Sequence, residues 1–78
     1  MGLSFEEKRN ILGLNITYYR RAKKMTQLQL AEKICVSGNY LSQVERGFKT
    51  VSLTTLAQIS EILGVDESDL LNFSRQKD

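Results

Sequence analysis

The sequence predicts an all-α fold of five helices. Three observations predict it. Apolar residues recur at spacings of three and four, small polar residues and glycines stand at the ends of these runs, and no segment alternates with period two for long enough to make a strand. At 78 residues the chain has material for one core, and a chain of this size buries roughly 60% of its unfolded surface, enough to fold alone with little margin. No proline, Gly/Ser linker, repeat or low-complexity stretch marks an internal boundary, so residues 1–78 are expected to form a single domain.

The first helix is expected from about Phe5 to Lys24, opened by Ser4 as N-cap with Glu7 three residues on, the arrangement of a capping box. Leu12, Ile16 and Tyr19 give it one apolar face with Ile11 at the margin, while Gly13 weakens it. Thr26 caps a second helix over Gln27 to Ile34, whose buried face is Leu30, Ala31 and Ile34. Cys35, Val36 and Ser37 form a three-residue break. Ser37 caps a third helix from Gly38 to about Glu45, with Leu41 and Val44 turned inward. Gly47 ends it, being the residue that most easily takes a left-handed conformation. A fourth helix, about Leu53 to Leu63, carries a wide apolar stripe of Leu53, Leu56, Ala57, Ile59, Ile62 and Leu63, and Gly64 stops it. A short fifth helix begins after Asp66 and includes Leu70 and Leu71.

Composition removes several functional classes. The single cysteine, Cys35, cannot form an internal disulfide, and with no histidine in the chain a Cys/His zinc site and a histidine general base are excluded. Ser42 has no base to activate it, and neither a phosphate-cradling glycine loop nor a convincing carboxylate pair is present, so no catalytic residue, metal or cofactor is expected. Cys35 is read as a buried or turn residue without chemistry. No apolar run approaches the roughly 20 residues that span a bilayer, and Met1 to Glu7 lacks the layout of a signal peptide, so a cytoplasmic protein without membrane contact is expected. The net charge of +2 conceals an asymmetry: Lys8 to Lys49 holds nine basic residues against two acidic ones, and the segments on either side are acidic. Such clustering suits a polyanion, though charge alone is more often just a solvated face.

The segment Gln27 to Gly47 is the informative unit. Two helices crossing through a three-residue turn approach closely where Ala31 is small, with Leu30, Ile34, Leu41 and Val44 filling the angle and Val36 plugging the turn. That leaves Gly38, Asn39, Ser42, Gln43 and Arg46 on the opposite side of the third helix. Amides and hydroxyls on one helix face suit base edges, since Asn and Gln pair with adenine.

Thr26-Gln27, Leu30-Ala31-Glu32-Lys33, Val36-Ser37, Tyr40-Leu41-Ser42 and Val44-Glu45-Arg46-Gly47 together resemble the Cro and phage-repressor (Xre-like) helix-turn-helix family, over about Gly13 to Leu71. The resemblance implies a compact five-helix, lambda-repressor-like DNA-binding domain whose third helix lies in the major groove, commonly as a homodimer on a pseudo-palindromic double-stranded operator. It implies base reading by Asn39 and Gln43, with Tyr40 and Ser42 at the edges of the footprint. It implies phosphate anchoring by Thr26 and Gln27 at the start of the second helix, by Ser37 and Arg46 around the third, and by the loop Gly47 to Thr50, where Lys49 adds charge. At least one of Arg20, Arg21, Lys23 and Lys24 is expected to meet phosphate as well. Arg20 and Glu45 match a partly buried salt bridge of the family, which would position helices more than stabilise them. Three residues depart from the pattern: Cys35 and Lys24 stand where glycine is usual, and Val51 where proline is. At Cys35 a left-handed conformation would cost about 1–2 kcal/mol. Gly38, with no side chain, shifts reading onto Asn39, Ser42 and Gln43.

Leu63, Val65, Leu70, Leu71 and Phe73 are candidates for a dimer interface, or else close the monomer's own core. At this length no separate effector domain is expected, and the chain resembles stand-alone transcriptional regulators such as phage repressors, restriction-modification controllers and some antitoxins. The competing reading is a protein-interaction module for an unidentified protein partner, with DNA binding weak or lost.

Overall fold

The first four helices each begin where a short polar side chain holds a backbone N–H that has no partner inside the helix. The computed structural model, which describes residues 2–74, places α1 at Phe5–Ala22, α2 at Gln27–Lys33, α3 at Gly38–Glu45, α4 at Leu53–Leu63 and α5 at Glu67–Leu70, with no strand among the described residues. Ser4 Oγ accepts from the Glu7 N–H while Glu7 accepts from the Ser4 N–H, and Thr26 and Gln29 repeat that exchange at α2. Ser37 Oγ accepts from the Tyr40 N–H. Ser52, which the sequence reading passed over, does the same for Thr55 at α4.

The first four helices end alike. In each, a residue with positive φ turns the chain back, and the N–H that follows it donates to a carbonyl five residues earlier: Met25 to Arg20, Val36 to Ala31, Phe48 to Gln43 and Val65 to Ser60. The turning residues are Lys24, Cys35, Gly47 and Gly64, with φ of 59°, 60°, 83° and 71°. This is why α1 stops at Ala22 rather than Lys24 and α2 at Lys33 rather than Ile34. Two of the four positions are therefore filled by residues whose Cβ crowds the left-handed region.

The core joins Leu12 and Ile16 of α1 to Leu30, Ala31 and Ile34, Leu41 and Val44 of α3, Leu56, Ile59 and Leu63 of α4, and Leu70 of α5. Two expectations from the sequence are narrowed here. Leu53 is 84% exposed and Ala57 is also at the surface, so only part of the apolar stripe on α4 faces inward. Leu63 and Leu70, at 2% and 0% exposure, take the second of the two roles open to them and close the monomer core. Val65 and Phe73 pack partly against the same core, and Leu71 alone of those candidates is exposed. Cys35, read as a buried or turn residue, is exposed in its turn.

Two residues of α1 matter more than the sequence suggested. Asn15 is fully buried, and its Nδ2 donates to the carbonyls of Leu70 (2.9 Å) and Asn72 (3.2 Å), tying the end of α5 to α1. Gly13 lies where α1 crosses the end of α3: a Cβ there would come within 2.5 Å of the Val44 carbonyl oxygen and 2.6 Å of that of Glu45. The glycine that weakens the isolated helix is what lets the two backbones touch.

If the left-handed turns at Cys35 and Lys24 are strained, Cys35→Gly and Lys24→Gly should each raise stability by about 1 kcal/mol, a Tm increase of roughly 4–8 °C for a domain of this size. Thermal unfolding checks this, and an unchanged or lower Tm for both would show that neither turn stores strain.

Candidate nucleic-acid interface

The position of α3 is set from behind, by a buried ion pair and half-buried hydrogen bonds. Glu45, on its last turn, forms a bidentate pair with Arg20 of α1: Nε donates to Oε2 at 2.8 Å and Nη2 to Oε1 at 3.0 Å. The two side chains are 8% and 4% exposed. Arg20 Nη1 donates to the Met25 carbonyl at 2.8 Å, just past the turn at Lys24, and Gln27 Nε2 on the first turn of α2 donates to Glu45 Oε1 at 3.0 Å. One carboxylate thus collects α1, α2 and α3. A second tie lies beyond the end of α3, where Arg9 Nε donates to the Gly47 carbonyl at 2.7 Å. Gly47 itself lies against Asn10 so closely that any Cβ would collide, besides holding its left-handed φ.

With α3 held this way, its outer face carries Asn39 and Arg46, both exposed, and Ser42 and Gln43, both half-buried. Tyr40 is half-buried against the core, and its hydroxyl donates to the Thr50 carbonyl at 2.8 Å. It therefore braces the loop that follows α3 instead of standing out from the helix. Thr26 and Ser37 are exposed at the starts of α2 and α3, and each uses its oxygen to accept from its own helix. A hydroxyl that accepts still has a hydrogen to donate, so both caps can also grip an anion. Gln27 commits one amide hydrogen to Glu45 and keeps the second as a donor for an anion.

Lys49 and Thr50 are exposed in the loop, and the Arg46 guanidinium lies 4.9 Å from the centroid of the exposed Phe48 ring. Among the four cations at the end of α1, burial removes Arg20 from the phosphate candidates, and Arg21, Lys23 and Lys24 stay at the surface. The sequence reading missed Arg9 and the inward roles of Gly13 and Asn15. Asn15 had a signal, since it lies beside Leu12, Ile16 and Tyr19 on the apolar side of α1.

Comparison with known proteins gives this geometry a context. A family model described as Helix-turn-helix matches residues 16–70. Control protein C.BamHI of Bacillus amyloliquefaciens is 37% identical over 67 residues, 85% of this chain and 83% of that protein. The immunity repressor protein of Bacillus phage phi105 is 38% identical over 60 residues, 77% of this chain but 42% of the repressor, so the chain spans less than half of that relative. Among solved structures, that of SinR, a master regulator for biofilm formation in complex with DNA, superposes with a TM-score of 0.72 at 38% identity, covering 77% of this chain and 97% of that one.

Because the guanidinium and carboxylate are both buried, removing one partner is far worse than removing both. Glu45→Gln should cost about 3–5 kcal/mol, whereas the double change Arg20→Met with Glu45→Leu should be close to neutral. Urea unfolding of the three proteins measures this, and a single variant no worse than the double one would mean that the pair is effectively solvated.

Proposed function

This chain belongs to the Cro and phage-repressor (Xre-like) helix-turn-helix family, and we propose that it is a transcriptional regulator that binds a specific sequence of double-stranded DNA through α3 in the major groove. The observation that carries the reading is the outer face of α3, where Asn39 and Gln43 stand one turn apart on a helix whose inner side is clamped to α1. Such amides pair with adenine edges, and Ser42 between them serves either kind of edge. Thr26, Gln27 and Ser37 on one side, and Arg46, Lys49 and Thr50 on the other, bracket that face as phosphate contacts, with Tyr40 holding the loop in register. Phosphate contacts fix position and base contacts specify sequence.

The protein works as a single domain over residues 1–78 and as a homodimer, which presents two such helices to a two-fold site. The apolar patch that supports a dimer differs from the full set expected from sequence. Phe5 and Leu71 are exposed and line a concavity with Leu12, Phe73 and Thr50, bordered by the basic side chains Lys8 and Arg9. Its activity is binding, with no turnover. No helix among the described residues is long and apolar enough to cross a membrane, and the reading places the protein with the DNA it binds, in the cytoplasm.

Selection from a randomised duplex pool at fixed salt should recover a two-fold site with half-site centres ~34–36 Å apart, or a multiple of that. On that site Asn39→Ala and Gln43→Ala should each cost ~1–3 kcal/mol and leave non-specific binding almost unchanged. Equal losses on every sequence would remove the base-reading role. Recovery of nothing above non-specific binding would point instead to a protein-interaction module.

A further inference from the structure

Leu28 breaks the polar character of this face. It lies on the first turn of α2, is 59% exposed, and contributes nothing to the core, which takes Leu30, Ala31 and Ile34 from that stretch. Its neighbour across the turn is Gly38, the first residue of α3: a Cβ on Gly38 would stand 3.6 Å from Leu28 Cδ1. The N-terminal residues of a recognition helix are the ones that contact base edges. At Gly38 there is no side chain to do so, and the space over it is bordered by the methyl groups of Leu28.

The major-groove edges of the four bases offer one apolar feature, the C5-methyl of thymine. We infer that Leu28 is a specificity-determining residue that packs on a thymine methyl in the space left open by Gly38. The inference rests on the reading of α3 as the groove-reading helix. Discrimination runs both ways. A thymine methyl against Leu28 gives up apolar surface to apolar surface. An adenine or cytosine amino group in the same place would be pressed against methyl groups with no acceptor, and an unmade hydrogen bond is expensive. Leu28 thus supplies from α2 the reading that a side chain at position 38 would otherwise supply from α3.

The test takes the selected duplex and replaces each thymine of one half-site in turn by deoxyuridine, which removes the methyl and changes nothing else. At one of these positions the wild-type protein should bind about three- to fivefold more weakly, the effect of one buried methyl group. Leu28→Ala should bind the thymine and uracil duplexes equally, and Leu28→Met should retain the preference. Since Leu28 is largely exposed, both variants should melt like the wild type. Two results overturn the proposal: a wild-type protein indifferent to every methyl, or a Leu28→Ala protein as sensitive as the wild type at each position. If either occurs while the wild type still selects a sequence, only Leu28 loses its role. A wild type that selects no sequence overturns the operator reading, and this one with it.

Discussion

Burying an arginine and a glutamate in so small a chain leaves the backbone little choice. The guanidinium cannot shed its charge, and Arg20 and Glu45 are too enclosed for water to solvate them apart. Each must face the other, and the helices that carry them must follow. Arg20 also reaches the Met25 carbonyl and Glu45 also accepts from Gln27, so the pair fixes the start of α2 as well as the end of α3. Such a pair adds little net stability, because its desolvation offsets its attraction. Its consequence is orientation: with α1 and α3 locked at one end, and their backbones in contact at Gly13, the outer face of α3 can point only one way.

Much of this fold was legible because its boundaries are local. The bounds of α3 match the expectation from Ser37 and Gly47, two residues that act on their immediate neighbours. Cys35 takes the left-handed turn that its replacement of a usual glycine implied. Where the reading failed, the missing information was long-range. Periodicity says that a helix face is apolar and does not say what covers it. Hence Leu63 and Leu70 stood open between a dimer interface and the monomer core, which is where the chain puts them, and the apolar stripe of α4 included Leu53 and Ala57, which lie at the surface. Asn15 and Gly13 were underrated for the same reason: each makes sense only against residues 30 or more positions away.

The candidate interface shows how a small domain gives single residues two tasks. Thr26 and Ser37 cap helices with the acceptor side of their hydroxyls and keep a donor for an anion. Gln27 spends one N–H on the clamp and keeps a second to donate. Tyr40, which sequence placed at the margin of base reading, serves the site at one remove by tying Thr50 and its loop to α3. Surface chemistry and scaffold are thus coupled, and a loosened clamp would blur the outer face of α3.

The most direct test of groove reading by α3 is binding to the selected duplex with single purines replaced by deaza analogues. A 7-deazapurine lacks an acceptor of the major groove, and 3-deazaadenine lacks one of the minor groove. The account predicts that 7-deaza replacement weakens binding at clustered positions in both half-sites, while 3-deaza replacement between them leaves it unchanged. Loss on 3-deaza replacement with none on 7-deaza would place the protein in the minor groove and contradict the account.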